Sequence, residues 1–195
     1  MKSSNLLLPS LILSLFLTNC TKKENPSAQS DTAQGQVSKE AQVKRGEYLV
    51  TVIGCNDCHS PKIMTEYGPA PDPERLLSGH PADEKMADVA DKSVLKNYAL
   101  FNMSLTASVG PWGTSFAANL TPDGTGIGNW SLNQFKKAMR EGKFKGMENG
   151  RMLLPPMPWP NFKAMNNEDL EAIWAYLNSI PAVRNIVPAP VPPAG

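Results

Sequence analysis

The sequence predicts an all-α domain of three to five helices joined by long Pro- and Gly-rich loops, and three observations lead there. Three stretches repeat apolar residues at helical spacing and carry capping residues at their ends. The 18 prolines cluster late in the chain, which favours loop and extended segments between helices over continuous sheet. The 195 residues, 41% of them hydrophobic, suffice for one core plus unstructured ends. A net charge of +1 gives no field that would gather the chain on nucleic acid or on an acidic membrane surface, so no nucleic-acid partner is expected.

Taken in order, residues 1–19 read as an export signal: Lys2, an apolar run from Leu6 to Leu17, then Thr18 and Asn19 before Cys20. A run of twelve residues is too short to span a bilayer. The cysteine at the end of the run resembles the lipobox of bacterial lipoprotein signals, which makes Cys20 the expected site of lipid attachment and the membrane anchor. Residues 20–40 follow as lipidated cysteine and tether, rich in Ser, Gln, Asn, Thr and Lys and too poor in apolar groups to offset their ordering entropy. Such a linker reaches roughly 25 Å. The expected location is extracytoplasmic, in the periplasm and tied to a membrane by lipid.

The domain proper is expected over residues 41–183. A first helix is predicted from Lys39 to Ile53, with Ser38 as N-cap, Val43, Leu49, Val50 and Ile53 on its apolar positions, and Gly54 as its stop. A second starts at Ser131-Leu132-Asn133-Gln134, a capping-box pattern, and ends at Gly142. A third follows Asn166 and places Leu170, Ile173, Trp174 and Leu177 on one buried stripe before Pro181. Lys92 to Phe101 is a candidate fourth helix, within a region from Pro61 that is otherwise turn-rich. Residues 184–195, with four prolines, read as an extended polyproline-like tail.

The chemistry lies in Cys55-Asn56-Asp57-Cys58-His59, the C-x-x-C-H signature of covalent haem attachment. Two thiols three residues apart share one helical turn and can bond two vinyl groups on one porphyrin edge, while the next imidazole faces the iron. A thiol–disulfide pair belongs in a βαβ context, which this sequence lacks; a zinc site would need two more ligands where only Cys20 and His80 remain. With three cysteines, one lipidated and two bonded to haem, none is left for a disulfide. One covalent haem c is therefore the expected cofactor, with His59 as its first metal ligand.

A second axial ligand must come from elsewhere, and thioether or imidazole suits an electron carrier. Met157 lies in Leu154-Pro155-Pro156-Met157-Pro158-Trp159-Pro160, where prolines restrict the backbone and aim the sulfur. Met152 is its nearest competitor, followed by His80, which in Ser78-Gly79-His80-Pro81 looks more like a turn residue. Met64, Met86, Met103, Met139 and Met165 read as core fillers.

The runs Gly113-Thr114-Ser115-Phe116-Ala117-Ala118-Asn119-Leu120-Thr121-Pro122-Asp123, Gly124 to Ser131, Ala138-Met139-Arg140-Glu141-Gly142 and Pro156-Met157-Pro158-Trp159 resemble class I cytochrome c domains. The likeness is to those of the cytochrome subunits that accept electrons from membrane-bound alcohol and gluconate dehydrogenases, and it covers roughly Val43 to Val183. It implies the class I cytochrome c fold around one haem and Met157 as distal ligand. It also implies that the Asn119 and Trp130 loops lie near the haem edge, with the propionates as their candidate partners. Those subunits carry several C-x-x-C-H motifs and this chain one, and the interval from His59 to Gly113 is longer than usual.

The expected function is a mono-haem electron carrier, not an enzyme, that exchanges single electrons with a dehydrogenase, an oxidase or another cytochrome and needs no small-molecule substrate. The alternatives are a haem enzyme of peroxidase or reductase type and a gas-binding sensor, both requiring an open axial position. Local charge offers two candidate docking faces, weighed against plain solvated surface. Residues 136–151 hold six basic against two acidic side chains, and residues 72–91 six acidic against two basic.

Overall fold

The computed structural model describes residues 38–193, so the expected signal, Cys20 and nearly all of the tether lie outside them. Helix α1 (Lys39–Val52) begins where Ser38 Oγ accepts from the Ala41 amide at 3.2 Å, satisfying one of the donors a helix start leaves free. Gly54, in the left-handed conformation, turns the chain directly into the short helix α2 (Cys55–His59). Helix α3 (Leu132–Glu141) has the full capping box: Ser131 Oγ accepts from Gln134 N, and Gln134 Oε1 accepts from Ser131 N. Helix α4 (Asn167–Leu177) opens on Asn166, whose carboxamide oxygen accepts from Asp169 N at 2.7 Å. No helix among the described residues is long and apolar enough to cross a membrane.

The all-α expectation needs correcting between α2 and α3. Strands β1 (Lys62–Thr65) and β2 (Gly68–Pro71) form an antiparallel hairpin, and β3 (Leu100–Phe101), β4 (Ala107–Gly110) and β5 (Gly113–Phe116) form a second antiparallel sheet in that order. These strands are two to four residues long, too short to leave an alternating pattern in the sequence. The helix expected from Lys92 to Phe101 is a 3-10 turn at Lys92–Lys96, capped by Asp91, followed by β3. Its apolar residues Leu100 and Phe101 are exposed, so no buried face exists to hold a longer helix.

The tail is likewise not free. It is extended as expected, but Val191 N donates to Thr114 O at 3.0 Å and Val191 O accepts from Thr114 N at 2.7 Å, adding a bridge to the edge of β5. Residues 183–185 are stitched to the domain by side-chain hydrogen bonds, so the ordered domain runs past the boundary expected at 183.

The core collects Leu49 and Val50 from α1, Phe135 from α3, and Leu170, Ala172, Ile173 and Leu177 from α4, with Leu77 and Ile127 reaching in from loops. Met139 and Met165 pack against it as fillers, whereas Met64 and Met103 are largely exposed and fill nothing. The tightest contact is where α1 crosses α4 at Gly46. A Cβ placed there would lie 1.9 Å from Ala172 O and 2.7 Å from Tyr176 Cβ, so the two backbones touch and only hydrogen fits. Helix propensity alone would favour alanine by about 1 kcal/mol, but overpacking of this kind costs about 3 kcal/mol. The steric term wins. Gly46→Ala is expected to lower the urea midpoint of the chain markedly; an unchanged or raised midpoint would show that the helices do not meet at this residue.

Candidate functional site

Because α1 ends at Gly54 with its apolar face in the core, α2 starts at a fixed point on the domain, and one turn carries Cys55, Cys58 and His59. Cys55 packs against the core edge and Cys58 is half-buried; neither thiol is bonded to another sulfur. Burial pushes the Cys55 thiol up to about 11, and burial also raises Cys58. A redox-active thiol pair needs the opposite shift, toward thiolate, so the thiol–disulfide reading is disfavoured by the environment as well as by the fold.

The imidazole of His59 is aimed. Its Nδ1 lies 2.8 Å from the Ala118 carbonyl oxygen, which can only accept, so Nδ1 carries the proton and Nε2 is left with a free lone pair and no protein partner among the described residues. Desolvation holds the ring below its ordinary pKa, partly opposed by the Ala118 hydrogen bond. A neutral imidazole with one nitrogen fixed by a carbonyl and the other open is the form in which histidine ligates a metal.

Three supports fix this turn from below. Ser60, fully buried, donates to Asn56 Oδ1 at 2.8 Å and accepts from Leu77 N at 2.8 Å. Gly79 N donates to His59 O at 2.7 Å. Gly79 has a φ of 80°, and a Cβ there would lie within 2.7 Å of the Ala117, Ala118 and Asn119 backbone, so only glycine lets the 77–80 segment run against the stretch that supplies the Ala118 carbonyl. Lys62 closes the C-terminal end of α2, its ammonium donating to the carbonyls of Asn56, Asp57 and Ser60 at 3.0, 3.0 and 2.6 Å. A cation there also meets the negative end of the helix.

The other expected site residues are spread more widely. Asn119 is buried, but its carboxamide is engaged by protein: Oδ1 accepts from Thr121 N and Oγ1, and Nδ2 donates to Thr125 Oγ1 and the Val183 carbonyl. Both donor hydrogens of this carboxamide have protein acceptors, and through them Asn119 anchors the segment that presents Ala118. Trp130 packs against the core cluster, and its amide donates to Ile127 O. Met157 is half-buried on a loop pinned at several points: Ser115 Oγ donates to Pro155 O at 2.6 Å, Leu153 N to Gly142 O at 2.6 Å, and Trp159 N to Met157 O at 2.9 Å. Met152 is exposed and bridges to Lys143. His80 is fully buried with both ring nitrogens engaged, Nδ1 by Thr106 Oγ1 at 2.9 Å and Nε2 by Glu84 O at 3.1 Å.

The basic stretch is less free than its charge count suggests. Lys136 pairs with Glu171 at 2.7 Å, Lys137 pairs with Glu148, Arg140 donates to Met165 O, and Arg151 lies 3.9 Å over the Phe144 ring. Four of the six cations thus join local structure, which favours the structural reading of that face over docking.

Ser60, Lys62, Gly79 and Ala118 were not legible as site residues. Three act through backbone atoms or a common hydroxyl, and Lys62 is one lysine among many until the fold brings its ammonium to α2. Lys62→Met is expected to destabilise the domain by about 1–2 kcal/mol, the range for partly exposed charge-assisted hydrogen bonds, read as a lower thermal midpoint. A midpoint equal to that of the unaltered chain would show that the ammonium does not cap α2.

No family model matches the chain. Among known proteins it is 34% identical over 140 residues to the gluconate 2-dehydrogenase cytochrome c subunit of Pantoea cypripedii, a match covering 71% of this chain and 23% of that protein. It is 30% identical over 145 residues to the cytochrome c subunit of the quinone alcohol dehydrogenase of Gluconobacter oxydans, covering 74% and 22%. Over 68 residues it is 38% identical to the fructose dehydrogenase cytochrome subunit of Gluconobacter japonicus, covering 34% and 13%. The chain thus spans less than a quarter of the length of these relatives.

Proposed function

From the premise that the chain carries a cytochrome c domain like those of the gluconate, alcohol and fructose dehydrogenase cytochrome subunits, we propose that it is an extracytoplasmic mono-haem electron carrier and not an enzyme. The observation that carries this is the single turn of α2, which presents two unpaired thiols and an imidazole with Nδ1 fixed and Nε2 open. That donor set fits haem c: Cys55 and Cys58 would hold it covalently and His59 would ligate its iron. The chemistry such a group supplies is one-electron ferric–ferrous exchange.

The protein's own part is to hold the donors still. Ser60, Lys62 and the Gly79 amide fix α2 so that the thiols and imidazole are held in one geometry. Met157 would supply the second protein ligand to such a group. Its loop is pinned at Pro155 and Leu153, His80 has no nitrogen to offer, and Met152 lies in an exposed bridge. A thioether there favours ferrous iron and raises the reduction potential. With His59 and Met157 both engaged, the protein would leave such a group no position for a small substrate.

Met157→Ala is expected to abolish the near-infrared sulfur-to-iron charge-transfer band, lower the midpoint potential and open the iron to cyanide or carbon monoxide. Met152→Ala should leave the spectrum as it is. An unaltered ferric spectrum in Met157→Ala would overturn the axial assignment while leaving attachment at Cys55, Cys58 and His59 in place.

Export and lipid attachment at Cys20 place the carrier at a membrane facing the periplasm, where a dehydrogenase, an oxidase or another cytochrome would exchange electrons with it. The apolar run before Cys20 and the polar stretch after it support this. Cys20→Ala should release a soluble, haem-bearing domain. Retention of that variant in membranes washed with high salt would rule out the lipid anchor.

A further inference from the structure

The segment after α4 crosses the domain between two loops, and one residue in it holds more bonds than its neighbours. Asn185 Nδ2 donates to the carbonyls of Ser78 and His80 at 2.7 and 2.8 Å, and its Oδ1 accepts from Ala82 N at 3.0 Å. Its amide donates to Thr125 Oγ1 at 3.0 Å. Two residues earlier, Val183 N donates to Thr121 Oγ1 at 3.1 Å, and Val183 O accepts from Asn119 Nδ2 at 2.8 Å. The 183–185 segment is thus a slat bonded to residues 78–82 on one side and 119–125 on the other.

Those two loops set the proximal histidine. Gly79 N reaches His59 O, His80 N reaches Ala117 O at 2.9 Å, and Leu120 N reaches Leu77 O at 2.8 Å, bracketing the Ala118 carbonyl that accepts from His59 Nδ1. Ala118 itself is exposed and has no packing of its own to hold that carbonyl in line. Its position comes from its neighbours, which are held by the Ala117 amide bond to Thr106 O, by the Asn119 carboxamide and, through Ser78 and His80, by Asn185. Both hydrogens of the Asn185 carboxamide are used on backbone carbonyls that have no other side-chain donor among the described residues.

We infer that Asn185 is a positioning residue for the iron ligand: through Ser78, His80 and the 117–120 segment it sets the strength of the hydrogen bond from His59 Nδ1 to the Ala118 carbonyl, and with it the reduction potential. This rests on the reading of His59 as ligand to haem iron. A firm bond to a carbonyl makes the imidazole a stronger donor and favours ferric iron, and a loosened bond does the reverse.

The test compares the holoprotein with Asn185→Ala and, as a control on the same strap, Val191→Pro, which removes the Val191 amide bond to Thr114 but touches neither loop. In Asn185→Ala the midpoint potential should shift upward, and exchange of the His59 ring N–H with deuterium should accelerate at least tenfold, with the haem still covalent and the axial spectrum retained. Val191→Pro should leave both readings unmoved. Should Asn185→Ala yield no holoprotein, Asn185→Ser, whose side chain is too short to reach either carbonyl but stays polar, should give the same changes. An unmoved potential or a downward shift in the Asn185 variant, or an equal shift in Val191→Pro, would overturn the positioning role. Absence of thioether-bound haem from the unaltered chain would instead overturn the functional reading, and the inference with it.

Discussion

The hydrogen bond from His59 Nδ1 to the Ala118 carbonyl is the contact around which the site is arranged. An imidazole beside two thiols can rotate, change tautomer or take a proton, and each change removes the lone pair that a metal needs. A carbonyl acceptor on one nitrogen opposes the first two, because it can only accept a hydrogen bond and it has a direction, while burial of the ring opposes protonation and outweighs the upward pull of that same bond. The rest of the loop structure follows from the need to put that carbonyl in place. Gly79 lets the 77–80 segment lie against residues 117–119, Ser60 ties the start of that segment to α2, and Asn119 and Asn185 fasten the far side.

The helices do a different job. Packing of α1 on α4, with backbone contact at Gly46, fixes the direction in which α1 points, and Gly54 then fixes where α2 begins. Apolar burial supplies the free energy here and the polar loop network supplies the geometry. The division is physical: burial is non-directional and scales with area, whereas hydrogen bonds are directional but contribute little net stability each. A site that must hold one ring orientation needs the second kind, built on the first.

The same division explains which side chains belong to structure although their residue type suggests chemistry. His80 is a buried histidine with both nitrogens engaged, and with its Phe116 neighbour at 4.8 Å between ring centroids it acts as a packing element of the loop layer. Most of the basic residues of 136–151 pair within the domain or cap its carbonyls. Charge counted along a sequence overstates what is available at a surface, because nearby elements supply the opposite groups.

The sequence by itself determined the parts that local rules govern. Ser38, Ser131, Asn166 and Gly142 marked helix ends because capping depends on residues three or four apart, and α1, α3 and α4 lie where those residues place them. Cys55, Cys58 and His59 share one turn for the same reason. Tertiary structure alone decided the short strands of residues 62–116, the docking of the chain end on β5, and the engagement of His80 and Asn119. It also decided the supporting shell of Ser60, Lys62, Gly79, Ala118 and Asn185. Each of those acts through a backbone group or through a partner far along the chain, as Asn185 does with Ser78 and His80, and a contact between a side chain and a distant carbonyl leaves no periodicity or spacing to read.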